Sequence, residues 1–167
     1  ANLDPLVRTY DASERKLPDS AGWIYHRPQA GNSEAEISSS GLLVHNAEMT
    51  SYSFWTATLP VSRAPKDAGM FMEANMKVKS EKHTTNQRGY NLIEFAEITP
   101  TTVHGISVLL WENRIFLLDS DDNPLEGAEL DWDTSDEFHT YRTEVKGDRY
   151  WLFIDGQEKL SGRVPTY

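Results

Sequence analysis

The chain contains no cysteine. Disulfides and thiolate metal sites are therefore excluded, while the compartment stays open, because many secreted bacterial domains also lack cysteine. No stretch of 18 apolar residues occurs, so no segment reads as a spanning helix. Positive charge is scarce: 16 Lys and Arg stand against 26 Asp and Glu, a formal net charge of −10. Nucleic acid and anionic membrane surfaces both need Lys/Arg patches, so neither is an expected partner. The same balance suits neutral glycans or cations and disfavours a polyanionic glycan. Internal repeats, low-complexity blocks, long helical periodicity and Asn-x-Ser/Thr sequons are missing as well.

What remains is a chain of 167 residues, enough for one domain with a real core. With 38% hydrophobic and 25% charged residues, its composition fits a globular domain rather than a disordered one. Five Trp, seven Tyr and six Phe supply bulky core groups and also stacking surfaces. The first residues, Ala1-Asn2-Leu3-Asp4-Pro5, read equally as a mature end or as a boundary within a longer protein.

Turn signals recur at short intervals, among them Pro18-Asp19-Ser20, Ala30-Gly31-Asn32, Pro65 to Gly69, Ser120 to Pro124 and Lys146 to Asp148. Short alternating runs lie between them, which predicts strands. The expected strands are 6–10, 23–26, 35–37, 41–46, 51–59, 70–78, 90–98, 103–111, 114–119, 125–130, 138–145, 149–154 and 157–160. A helical turn is expected over 61–67, limited by Pro65. Alternation also assigns faces: Met70, Met72, Ala74, Met76 and Val78 form an apolar side, and Phe71, Glu73, Asn75 and Lys77 the other.

The most informative stretch is EFHTYRTEVKGDRYWLFIDG at 137–156, two alternating runs around a Lys146-Gly147-Asp148 turn, followed by Asp155-Gly156. It resembles a hairpin unit of the concanavalin A-like lectin and glucanase superfamily, which includes laminin G-like domains. LPDSAGW at 17–23, ISSSGLLVHNA at 37–47, FWTATLP at 54–60, GMFMEANMKVKS at 69–80 and ENRIFLLDSDDNPL at 112–125 resemble further segments of it in the same order. The resemblance implies an all-β fold: an antiparallel β-sandwich, a jelly roll with a concave and a convex sheet, over residues 1–167. It also implies that Trp23, Tyr141 and Phe153 are core residues. Members usually close with a further strand. Here that strand lies at 6–10, or the chain is a trimmed piece of a longer protein.

Retaining glucanases of the superfamily carry two carboxylates on one strand. The matching positions are Leu92, Glu94 and Glu97, and leucine at the nucleophile position cannot attack an anomeric carbon. A lyase would need a Tyr or His base and a cation for the uronate carboxylate, which Arg88, Tyr90 and His104 offer; the lyase signatures themselves are absent. Catalytic candidates are thus Glu94, His104 and Tyr90. Sugar stacking is the better-supported chemistry, because an aromatic face takes the C–H face of a sugar while polar groups take its hydroxyls. The expected ligand-binding residues are Trp55, Glu73, Asn75, Arg88, Tyr90, Glu94, His104 and Trp111, on a sheet built from strands 70–78, 90–98 and 103–111. Calcium is the one candidate ion, at Asp119, Asp121 and Asn123, and no organic cofactor is expected; such Asp/Asn runs also serve as ordinary turns. The expectation is a secreted or cell-surface bacterial module that binds a polysaccharide, with a polysaccharide lyase or glycoside hydrolase as the alternative.

Overall fold

The structure is a computed structural model that describes residues 8–26, 33–47, 53–57, 69–82, 92–98, 103–119 and 123–164, with the backbone alone at 33, 47, 92–98, 103 and 104. It is all-β, with antiparallel pairing throughout the described strands. No helix among the described residues is long and apolar enough to cross a membrane. The chain gathers into two compact units, Ala1–Ser62 and Arg63–Tyr167.

The first unit holds two 3-10 turns, Ala12–Glu14 and Pro18–Ala21, and two strand pairs. Strand β1 (Ile24–His26) pairs with β4 (Phe54–Thr56), and β2 (Ser33–Ile37) pairs with β3 (Leu43–Ala47). Asp11 caps the first turn by accepting the Ser13 N–H at 2.9 Å, the usual task of Asp at a helix start. Trp23 is half-buried rather than core, and its indole N–H donates to the Thr9 carbonyl at 3.2 Å. The strand expected over 51–59 is Phe54–Thr56 among the described residues, and 8–10 form no strand. The turn expected over 61–67 lies outside the described residues.

In the second unit two four-stranded sheets share one buried cluster. One sheet has the order β12 (Gln157–Arg163), β11 (Arg149–Ile154), β10 (His139–Lys146), β5 (Met70–Met76). The other runs β6 (Leu92–Ile98), β7 (Val103–Leu110), β8 (Arg114–Leu118), β9 (Pro124–Asp131). Alternation in sequence becomes alternation in burial. On β10, His139, Tyr141, Thr143 and Val145 are buried while Thr140, Arg142 and Glu144 are not. On β11, Tyr150, Leu152 and Ile154 point inward. Ile106, Val108, Leu110, Ile115 and Leu117 of the second sheet complete the cluster, and Met70, Met72, Ala74 and Met76 pack on it as their parity predicts.

Two hairpins fix the register. Lys146 pairs with Arg149 around Gly147-Asp148, and Ile154 with Gln157 around Asp155-Gly156. Asp155 (φ 52°) and Gly156 (φ 82°) are both left-handed, as the favoured two-residue turn with Asp-Gly demands. One extra residue, Lys159, bulges β12 between the Leu152–Leu160 and Phe153–Glu158 pairs and brings its ammonium 5.3 Å from the Trp132 ring.

Gly162 of β12 faces Tyr150, and a Cβ there would stand 2.9 Å from the ring carbon Cε1. Tyr150 is only 3% exposed, so its ring has little room to retreat. Gly162→Ala is expected to cost about 1–3 kcal/mol by overpacking. A lowered urea midpoint checks this; an unchanged one would show that the ring moves aside freely.

Two expectations about the sheets are corrected. Strand β5 belongs to a different sheet from β6 and β7, so Glu73 and Asn75 do not share a sheet with Glu94 and His104. Strand β7 is buried on both faces from Gly105 to Leu110, so it has no open face to offer a ligand there.

Candidate functional site: the outer face of the β12–β11–β10–β5 sheet

Positions of the opposite parity on these strands gather on one open face. Strand register places them in rows. Phe71, Glu144 and Trp151 form one row, Glu73, Arg142, Phe153 and Glu158 the next, and Asn75 and Thr140 a third. The face carries an open groove of about 470 Å³, with Phe71, Arg142, Glu144, Trp151, Phe153 and Glu158 among its lining. A smaller hollow of about 190 Å³ continues past Glu73, Thr140 and Gly156. Both are open to solvent rather than enclosed.

Arg142 organises the centre. Its guanidinium lies 3.9 Å from the centroid of the Phe71 ring, a close cation–π contact. Its Nε donates to Glu144 Oε1 at 2.7 Å, and its Nη1 to Glu73 Oε2 at 3.3 Å. The Glu144 hydrogen bond is the largest influence on its pKa, which is raised; partial burial opposes this and Glu73 adds to it. Next along the face, the Asn75 amide donates to Thr140 Oγ1 at 3.0 Å. Phe71 is 43% exposed, and Trp151 and Phe153 are half-buried. Aromatic faces, an amide, a hydroxyl, a guanidinium and carboxylates thus lie side by side on a rigid sheet.

The hairpin tip below the smaller hollow is locked by a buried histidine. His139 is 4% exposed, with Nδ1 2.7 Å from Asp155 Oδ2 and Nε2 2.8 Å from Asp136 Oδ1. Asp155 Oδ1 also accepts the Thr140 N–H at 2.9 Å. One carboxylate therefore ties the β11–β12 turn to the start of β10, beside Thr140 and Gly156 of the hollow. Asp136, Glu137 and His139 also bring ligand-type atoms within 4.8 Å of one another. Both His139 nitrogens already face carboxylates, so the cluster reads as an ion pair within the fold.

The expected site residues disperse. Glu73 and Asn75 stand on the outer face. Trp55 belongs to the first unit, where its ring lies 5.2 Å from Tyr25 and 4.9 Å from His45, and its indole N–H donates to Asp19 Oδ1 at 3.2 Å. Trp111 follows β7 and packs edge-on against Phe116, with centroids 4.6 Å apart. Arg88 and Tyr90 lie outside the described residues, as do the side chains of Glu94 and His104; the backbone pairs Glu94 with Ser107 and His104 with Glu97. Asp119 Oδ1 accepts the Asn123 N–H at 3.0 Å and so closes the loop between β8 and β9, an Asp in a turn role. Asp121 lies outside the described residues.

Phe71, Arg142, Glu144, Trp151 and Phe153 were not among the expected binding residues. Phe153 was expected in the core and instead shares the outer parity of Trp151. The signal was present in TYRTEVKGDRYWLF, where polar Thr140, Arg142 and Glu144 alternate against a buried set, and Trp151 and Phe153 take the polar set's side across the hairpin.

No protein-family model matches the chain, and no curated protein matches its sequence.

Proposed function

We propose that this protein is a glycan-binding module of β-sandwich, jelly-roll architecture, secreted or displayed at the cell surface, and that the glycan lies across the outer face of the β12–β11–β10–β5 sheet. The observation that carries this is the arrangement around Arg142. Exposed Phe71 and half-buried Trp151 and Phe153 offer apolar platforms, and Glu73, Asn75, Thr140, Arg142 and Glu144 offer hydrogen bonds between them. Sugars need that combination, because stacking supplies affinity and hydrogen bonds fix orientation. The architecture is supported by two four-stranded sheets around one buried cluster. Resemblance of the hairpin at 137–156 to the concanavalin A-like superfamily supports the same reading.

The test is a glycan array followed by calorimetry on the glycans retained. Phe71→Ala is expected to weaken binding about 10-fold through lost stacking. Stability should fall by only about 0.5–1 kcal/mol, since an exposed cation–π pair is what is lost. Unchanged affinity for Phe71→Ala would put the site elsewhere, and turnover in a reducing-sugar assay would favour a hydrolase over a binding module.

A further inference from the structure

We propose that this face selects neutral, hydroxyl-rich glycans and rejects uronate and sulfated ones, because the cation at its centre is already neutralised by Glu73 and Glu144. The inference rests on the glycan-binding reading above and narrows its ligand class. An arginine built to hold an anion presents its guanidinium fork to the ligand, unclaimed by protein carboxylates. Arg142 does the reverse. Its Nε is bound to Glu144 and its Nη1 to Glu73, while Phe71 covers one flat side. Two protein carboxylates thus share the guanidinium that a ligand carboxylate would need.

Glu73, Glu144 and Glu158 line the groove and hollow with the cations Arg142 and Lys146, while Arg149 and Arg163 continue the Lys146 row at the end of the face, away from the Arg142 centre. Lys146 stands two residues beyond Glu144 on the same side of β10, about 7 Å along the strand, so it offsets part of that carboxylate's charge but lies about 13 Å from Arg142 itself. A neutral sugar hydroxyl suits the face instead. It donates to carboxylate oxygens of Glu73, Glu144 or Glu158, and accepts from Arg142 Nη2 and the Asn75 amide.

Cellohexaose, xylohexaose and mannohexaose serve as neutral probes, and hexagalacturonate as the acidic one, each titrated by calorimetry. At least one neutral probe is expected to bind, at least about 10-fold more tightly than hexagalacturonate, with little response to salt. The paired substitution Glu73→Gln with Glu144→Gln keeps size and hydrogen bonding while it releases the Arg142 charge. It is expected to raise hexagalacturonate affinity about 10-fold. The single substitutions Glu73→Gln and Glu144→Gln give the same readout in smaller steps should the pair not fold.

Tighter binding of hexagalacturonate than of any neutral probe, weakened by Phe71→Ala, would overturn the ligand class and leave the site standing. A folded double variant with no gain for hexagalacturonate would overturn the neutralisation argument. Neutral binding of unchanged affinity in Phe71→Ala, or no glycan binding at all, would overturn the site and this inference together.

Discussion

Tyr141→Ala should unfold the second unit at markedly lower denaturant than the parent chain, with a loss of about 3–5 kcal/mol. The side chain is only 1% exposed and belongs to the cluster shared by both sheets of that unit. It stands opposite Ala74 on β5 and Ile154 on β11, and its ring lies 6.1 Å from His139. Neighbours held in two hydrogen-bonded ladders cannot collapse into the space a removed ring would leave, so the cavity cost adds to the lost transfer energy. Tyr141→Phe separates the ring from its hydroxyl. Burial pushes the hydroxyl pKa up to about 12, against an opposing pull from the Trp132 indole N–H. The hydroxyl has no hydrogen-bond partner of good geometry among the described residues, so deleting it should cost less than about 1 kcal/mol. Urea midpoints of the three proteins decide the matter, and equal midpoints for Tyr141→Ala and the parent would refute the burial argument.

The contrast between Tyr141 and Phe153 shows what the sequence disclosed. Both were expected in the core from resemblance. Parity alone separates them: Tyr141 alternates with Arg142 and Glu144, whereas Phe153 pairs across the hairpin with Arg142 itself. Strand existence was legible because each run is short, alternating and bounded by turn residues, and 149–154 agrees end to end with β11. The Asp155-Gly156 turn was equally legible from its chemistry. Sheet membership was not. Strand β5 meets β10 across more than 60 residues of chain, with Asn75 beside Thr140, and alternation states which side a residue faces but not which strand lies next to it. The expected site therefore mixed residues of β5 with those of β6 and β7. Glu73 and Asn75 stand on the outer face of β5 as their parity predicts, while Arg142 and Glu144 of the same face lie inside a motif taken as architecture.

His139 offers the other large effect, and its sign follows from its partners. Burial alone would lower the pKa of this imidazole; hydrogen bonds and charges from Asp155 and Asp136 outweigh it and hold the pKa above 6.5. The His139 hydrogen bond, with the Thr140 N–H, holds the Asp155 carboxyl below 3.8, and Lys159 helps. A group whose pKa is raised by folding stabilises the fold below its unfolded value and loses that contribution as pH climbs through the folded value. A carboxyl whose pKa is depressed does the opposite on the acid side. The His139–Asp155 contribution should thus be whole between about pH 4 and 6.5, fade as pH rises above that range, and fade again in acid. Asp155→Asn retains an oxygen for the Thr140 N–H but removes one of the two charges, with Asp136, that favour protonated His139. Asp155 is 49% exposed, so solvent screens part of the pair, and the expected loss near pH 6 is about 1–2 kcal/mol. The alkaline limb of stability against pH should move to lower pH in this variant, and the His139 ring protons should titrate earlier by NMR. Coincident alkaline limbs and an unmoved His139 titration would show that Asp155 does not hold the proton on this ring.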